Sequence, residues 1–523
     1  MENSSLFAGI DVSTQGCKLL ILDTQKEKVV YVDSLNYDHD LPHYHTQDGT
    51  LTGLKEGHSE SDPHMWIEAI EILFERLKKS KIHQKNILCI SVSGQQHGLV
   101  SLDSQGNLTR KTSKLWNDFS TNEECKLLTQ AVGGKSTMIK EVGNSQKTGY
   151  TAPKILHMKR NEPDIFNKTH TFLVVHNYIN WHLTGGAKIM EPGDTSGTAL
   201  WNPKTKKWSK KVVQAIDSLL PDKLPSVQPS DRTIGRISSF LVKKYGLSPK
   251  CKIDAGSGDN MYGAVGTGNI HPGILSISLG TSGTAFTILN KPYIDPSGEI
   301  ACYCDSTGKY LPLLCVSNLS NGYNNLLKKH RISHQEFTQL VNHTQPGNQG
   351  RVLIPWYVGE RTPDLPLASP LYFGFKLTDF NKNTLCRAVL EGHILNLYQG
   401  FKRMPVKAKQ IRLTGGLSRS DAWRQAIADV FEAETIPVLG EGAALGAALH
   451  AAWVWGKEAG KDSSLEELTS TFVKLDHQAK KKPNPESMLS YRLLKRLYQA
   501  LVQRILGEDG EDPFSLQHRL KST

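Results

Sequence analysis

Leu6-Phe-Ala-Gly-Ile-Asp11-Val-Ser-Thr14-Gln-Gly16-Cys-Lys18-Leu-Leu-Ile-Leu-Asp23 is echoed far downstream by Ile274-Leu-Ser-Ile-Ser-Leu-Gly280-Thr-Ser-Gly283-Thr-Ala-Phe-Thr-Ile-Leu289. Each stretch reads as strand, tight Gly/Ser/Thr turn, strand. A turn between two strands is commonly no more than a hairpin. Hydroxyls and bare backbone N–H groups at such a turn also suit an anion. The functional reading gains from Asp11 at the end of the first strand, Lys18 beyond it, and an isolated carboxylate, Asp259, shortly before the second stretch. Two such turns, one in each half, predict two related lobes serving one nucleotide.

Around the first turn the pattern predicts a meander, Leu6–Asp11, Cys17–Asp23 and Lys28–Leu35. A helix follows, with Ser61-Asp62 to cap it and Pro63 in its first turn. Trp66, Ile70, Leu73 and Leu77 recur at helical spacing and give it one buried face. A buried strand at Ile87–Val92 ends in Ser93-Gly-Gln-Gln96-His97-Gly98. Further on, a short strand at Leu173–Val175 precedes a helix near Tyr178–Leu183, Lys204–Lys211 is a polar hairpin or loop, and Ile234–Tyr245 mixes both signals. At Ala255-Gly-Ser-Gly-Asp259-Asn260 a strand hands over to a small-residue helix, which marks the lobe boundary. The expected division is 1–262 for the first lobe, 263–505 for the second, and 506–523 for a loose tail with little to bury.

At 523 residues the chain exceeds one ordinary core. No apolar run reaches the ~18 residues of a membrane helix, and the start lacks the basic flank and apolar core of a signal peptide. The expectation is a cytoplasmic protein. Eight scattered cysteines imply no disulfide framework, and Cys302-Tyr-Cys304 lacks the second pair of a zinc site. The net charge of +11 is spread out, without a recognition helix, zinc finger or aromatic-basic signature, so nucleic acid and membrane are not expected partners. A basic balance can instead attract anionic nucleotides and sugar phosphates.

Phosphoryl transfer asks for positioned phosphates, a metal to neutralise charge, and a base for the acceptor's proton. Asp259 is the candidate base, at a strand end amid glycines where a hydroxyl can reach it. It reads equally well as a helix N-cap, and Asn260 can cap while Asp259 reacts. Asp11 is the candidate for Mg2+, which takes one or two carboxylates and keeps several waters; the bland reading is an Asx-turn. The Gly415-Gly416 turn leaves room for a flat base and ribose. Gln96, His97 and Trp116-Asn117-Asp118 offer the paired donors, acceptors and ring faces that a polyol needs.

These pieces together resemble the FGGY carbohydrate kinases. The resemblance rests on Gly9-Ile-Asp11-Val-Ser-Thr14, Ser93-Gly-Gln-Gln-His97-Gly98, Trp116-Asn-Asp118, Thr151-Ala-Pro-Lys154, Asp194-Thr-Ser-Gly197, Gly258-Asp259-Asn260, Ser278-Leu-Gly280-Thr-Ser-Gly283, Gly359-Glu-Arg-Thr-Pro363 and Gly415-Gly416, in that order from about Leu6 to Trp453. It implies an α/β protein of two actin-like (ribonuclease-H-like) ATPase lobes with the active site in the cleft between them, and ATP and Mg2+ as cofactors. Asp259 would be the general base that activates the C5 hydroxyl of D-xylulose, giving D-xylulose 5-phosphate. Asp11 would act through Mg2+, by way of water. Gln96, His97, Asp259 and Asn260 would hold the small-molecule sugar. Thr14 and Lys18, with Gly280, Thr281 and Ser282, would face the phosphates, and Gly415, Gly416 and Ser420 would lie by the adenine nucleotide. Ribulose or glycerol as acceptor is the alternative within the class, and a non-kinase actin-like ATPase the alternative outside it. A monomer or homodimer is expected.

The chain departs from the family in three places. Phe119-Ser120-Thr121 stands where many members have an Arg. His176-Asn177 replaces a common Lys-Asp pair. An insertion spans Asp40–Glu60.

Overall fold

Apolar residues at consecutive positions of Leu6–Val12 (β1) leave no polar face, because both faces of this strand are covered. One face joins the core of Ala8, Ile10, Trp66, Ile70 and Ile90. Against the other lies the helix Gly442–Glu458, so close that a Cβ on Gly9 would stand 2.0 Å from the Ala444 carbonyl oxygen. The computed structural model describes residues 5–440, 442–461 and 464–522.

β1 pairs antiparallel with Gly16–Asp23 (β2), and β2 with Lys28–Asn36 (β3). This is the expected meander. Its edge strand, β3, alternates covered and exposed residues from Tyr31 onward. Helix Pro63–Lys78 follows, and Asp62 caps it by accepting from the His64 N–H. Ile87–Gly94 (β4) then runs parallel to β1. Thr233–Arg236 (β5) and Lys252–Asp254 (β6) complete the sheet in the order β5-β6-β4-β1-β2-β3. The mixed signals at 234–245 resolve into β5 and helix Ser239–Tyr245. The short strand expected at Leu173–Val175 lies two residues earlier, at Thr171–Leu173, and the helix after it begins at Val175 and runs to Thr184; Trp201–Asn202 pairs with Lys207–Trp208 as a hairpin.

A second sheet repeats the plan. Ile274–Leu279 (β7) pairs antiparallel with Gly283–Thr287 (β8), and β8 with Tyr310–Val316 (β9). Gln410–Thr414 (β10) runs parallel to β7, and Glu434–Leu439 (β11) parallel to β10. Lys474–Leu475 (β12) adds antiparallel to β11. Six strands of the second sheet, in the order β9-β8-β7-β10-β11-β12, repeat the order β3-β2-β1-β4-β6-β5 of the first, including the sense of each of these pairings.

The chain forms two compact units. The first holds residues up to Ile270 together with Leu289–Leu311 and Gly440–Val473; the second holds His271–Ile288, Pro312–Leu439 and the chain from Lys474 onward. The boundary expected after residue 262 falls inside helix Asp259–Gly266, and the first unit takes in two further segments from the second half of the chain. The tail expected to be loose is a helix, Pro513–Lys521. Asp512 caps it, and Leu516 and Leu520 are buried at helical spacing. Among the described residues no helix is long and apolar enough to cross a membrane.

Candidate active site

The first unit gathers its polar residues where parallel strands end. Asp11 on β1 lies opposite Ser93 on β4, and Ser257-Gly258 pairs with Ser93-Gly94 from the far side. Asp11, Gln95-Gln96-His97 and Asp259 therefore leave one edge of one sheet, the usual ligand edge of such sheets.

Asp11 is no Asx-turn: the turn after it is closed by Ser13, whose N–H and hydroxyl both donate to the Gly16 carbonyl. Asp11 Oδ1 instead accepts from Ser93 Oγ at 2.7 Å. Burial pushes the Asp11 carboxyl up, opposed by that hydrogen bond and by the Lys18 ammonium, and Lys18 sits directly across the ladder from it. Thr14 Oγ1 accepts from Trp116 Nε1 at 2.9 Å and donates to Gln95 Oε1 at 3.1 Å. Its one hydroxyl proton is thus committed within the protein, so any phosphate contact of Thr14 falls to its main chain.

Asp259 opens the helix Asp259–Gly266. The N-cap is Gly258 and no side chain caps the helix, so neither Asp259 nor Asn260 fills that role. Asp259 Oδ1 accepts from the Asn260 N–H at 2.8 Å and from Asn260 Nδ2 at 3.0 Å, and Asn260 Nδ2 also donates to Gln96 Oε1 at 2.9 Å. Burial, then the charges of Asp11 and Asp194, push the Asp259 carboxyl up to about 7. A carboxylate tuned close to neutrality suits a general base.

Gln96 is less free than its sequence position suggests. Its Oε1 faces Asn260, and its Nε2 donates to Asp194 Oδ1 at 3.3 Å, leaving one N–H for a ligand. His97 has left-handed backbone, φ 68°. Its carbonyl is held by Lys154 Nζ at 2.8 Å and Thr151 Oγ1 at 3.3 Å. Burial, then the Lys154 charge, push its imidazole down to about 4, so it meets a ligand as a neutral ring. Tyr150 and Tyr303 pack against that ring.

Sequence reasoning assigned no role to Asp194, Glu191 or His176. Glu191 is buried and accepts from the N–H groups of Gly193 and Asp194 and from the hydroxyls of Ser230 and Ser257. It ties helix Pro192–Gly197 to the segment that leads to Asp259. The Asp194-Thr-Ser-Gly197 motif and the replacement of a Lys-Asp pair by His176-Asn177 were the available signals. Asp118, by contrast, is structural: it is fully buried and accepts from the backbone of Ser59 and Ser120. Trp116 and Asn117 face an open pocket of about 730 Å³ that also takes in Thr14 and, from the insertion, Gln47, Thr50 and Thr52.

In the second unit, the pairing of Ser278 with Thr414 brings the Gly280-Thr281-Ser282 turn beside Gly415-Gly416. Gly415 has φ 84°, and a Cβ there would stand 2.6 Å from the Leu279 carbonyl oxygen, so only glycine fits. A Cβ on Gly416 would meet nothing within 4 Å, so open space lies over that residue. Ser420 ends the short helix Gly416–Arg419, and its Oγ is buried without a partner among the described residues.

Residues 6–266 match the N-terminal domain of the FGGY family of carbohydrate kinases, and residues 275–455 match its C-terminal domain. The xylulose kinase of Haemophilus influenzae is 34% identical over 498 residues, which covers 93% of this chain and 97% of that protein. Among solved structures, xylulose kinase from Bifidobacterium adolescentis superposes with a TM-score of 0.79 at 25% identity, covering 94% of this chain and 99% of that one. Gluconate kinase from Lactobacillus acidophilus gives 0.85 at 25% identity, covering 96% and 98%. The duplicated sheets, the two strand-end turns and these matches agree, and the chain belongs to the FGGY family of carbohydrate kinases.

Proposed function

We propose that this carbohydrate kinase transfers the terminal phosphoryl group of ATP to the C5 hydroxyl of D-xylulose, giving D-xylulose 5-phosphate, with Asp259 as the general base. The observation that carries the reading is the state of Asp259. One oxygen is fixed by two donors from Asn260, the other takes no hydrogen bond among the described residues, and the carboxyl is poised near neutrality. In-line transfer needs a base that takes the hydroxyl proton as the oxygen attacks phosphorus, and little further covalent help. Gln96, the neutral His97 ring and Asn260 are the ketose-holding residues in this reading. Lys18, the backbone of Thr14, and Gly280, Thr281 and Ser282 serve the phosphates; Gly415, Gly416 and Ser420 serve the adenosine.

Asp11 fits a hard cation: it is a partly exposed oxygen ligand whose Oδ1 is oriented by Ser93. A magnesium ion held there, through water, would neutralise charge on the phosphates during transfer. The chain's own task is to aim the carboxylate, and Ser93 does so.

Relatives named xylulose kinase support the ketose. The structural likeness to a gluconate kinase raises an acidic sugar as a second acceptor. Charge argues against it: Asp11, Asp194 and Asp259 surround the position, His97 is neutral, and Lys154 is turned onto the carbonyls of His97 and Gly149. A neutral polyol suits such a site better than a carboxylate does. A kinase assay over D-xylulose, D-ribulose, glycerol and gluconate, with identification of the product, tests this; higher kcat/KM on another acceptor overturns the xylulose assignment. Asp259→Ala is expected to abolish transfer while ATP binding persists, and near-wild-type turnover in that variant rejects Asp259 as the base.

A further inference from the structure

A chain of directed hydrogen bonds runs from a backbone carbonyl to the candidate base. It begins at the Ile189 carbonyl, which can only accept. Asn177 Nδ2 donates to it at 2.9 Å and also meets His176 Nε2 at 2.8 Å. Because the Asn177 amide must turn its NH2 to both, His176 Nε2 is the ring nitrogen without a hydrogen, and Nδ1 carries it. His176 Nδ1 then donates to Asp194 Oδ2 at 2.7 Å. A carboxylate only accepts, so Gln96 must turn its NH2 to Asp194 Oδ1 and its carbonyl away. That carbonyl faces Asn260 Nδ2, whose NH2 is thereby turned to Gln96 Oε1 and Asp259 Oδ1. The result is one occupied oxygen on Asp259 and one free. His176 and Asn177 are fully buried, Asp194 is 1% exposed and Gln96 4%, so water does not compete along most of the path.

We propose that His176 and Asp194 are positioning residues: through the orientation of the Gln96 and Asn260 amides they keep a second donor, beside the Asn260 N–H, on Asp259 Oδ1, and so hold the carboxylate with its other oxygen ready to take the acceptor's proton. An amide can turn over at no cost in shape, so Gln96 and Asn260 have no orientation of their own. The acceptor-only carboxylate at one end supplies it, and His176 keeps that carboxylate in place. Glu191 fixes the helix that bears Asp194 through two of its N–H groups. With Asp194 replaced by Asn, either group of the new amide can face Gln96, the chain loses its sense, and Asp259 Oδ2 is no longer held ready.

The proposal rests on Asp259 being the base, so Asp259→Asn is the control for that reading. The acceptor used is the one the wild-type enzyme turns over best in the panel above. Asp194→Asn and His176→Leu are expected to lower kcat about 10–100-fold, the scale of a misaimed reacting group, with the KM for ATP unchanged. His176→Asn, whose Nδ2 can stand in for the Nδ1–H donor, is expected to recover most of the loss. Turnover within about twofold of wild type in both Asp194→Asn and His176→Leu, with Asp259→Asn inactive, overturns the relay and leaves the base assignment standing. Full activity of Asp259→Asn overturns both. If His176→Leu does not fold, Asp194→Asn and His176→Asn decide between them. A large loss in the first with near-wild-type kcat in the second supports the relay; equal losses in both overturn it.

Discussion

Asp259 can act as a base only when ionised, and its surroundings oppose ionisation. Burial, Asp11 and Asp194 together push its carboxyl up to about 7. The fraction ready to accept a proton therefore falls as pH drops through that value. In the free enzyme kcat/KM is expected to fall tenfold per pH unit below it and to level off above it. Asp194→Asn removes one of the raising charges, so in that variant the fall begins at lower pH. Rate profiles between about pH 5 and 9 check the shift; an acid limb that stays in place shows that Asp194 does not act on the base. The placement of Asp11 and Asp259 at strand ends was legible in the sequence, because it is a pattern local to a few residues. Asp194, Glu191 and His176 were not. Their function arises from partners such as Gln96, Ser257 and Asn177 that the fold brings together, and hydrogen-bond direction leaves no trace in spacing. For the same reason the commitment of the Thr14 hydroxyl to Trp116 and Gln95 came only from the structure.

At the scale of elements, β1 and helix Gly442–Glu458 meet through small residues. Gly9 lies against Ala444, Ala447 and Ala448, and a Cβ at Gly9 would stand 2.0 Å from one backbone oxygen and 2.5 Å from one backbone nitrogen. Backbone cannot swing aside as a flexible side chain can, so Gly9→Ala is expected to destabilise the first unit by about 3 kcal/mol. Denaturant unfolding followed by fluorescence measures it; an unchanged midpoint shows that the contact has slack. The run Ala443-Ala-Leu-Gly-Ala-Ala-Leu shows small residues suited to close approach, but nothing in the sequence names the strand it covers. The C-terminal helix failed to show for another reason. Its burial rests on Pro513, Leu516, Gln517 and Leu520, a set with only two large apolar side chains, which does not stand out from a polar tail.

At the scale of the molecule, two sheets share one plan, and the repeated strand-turn-strand stretch is the part of that plan the sequence displays. The remainder, β4-β6-β5 and β10-β11-β12, carries no motif that recurs between the two halves. Chain order also conceals that the first unit is assembled from three segments. The helix that covers β1 arrives from residues 442–458, after the chain has built most of the second sheet. That excursion leaves and returns at neighbouring points, since Leu439 on β11 is the ladder partner of Lys474 on β12. Segment 440–473 can therefore be replaced by a tight two-residue turn without changing the strands of the second sheet. The variant is expected to keep slow amide exchange in β7, β10 and β11 and to lose it in β1 and β4, whose apolar face then lies open. Supplying residues 440–473 as a separate peptide should restore protection in β1. Hydrogen exchange resolved by segment gives the answer: if β1 stays protected without the helix, the first unit holds its core from residues 1–311 alone, and the return of the chain serves something other than its stability.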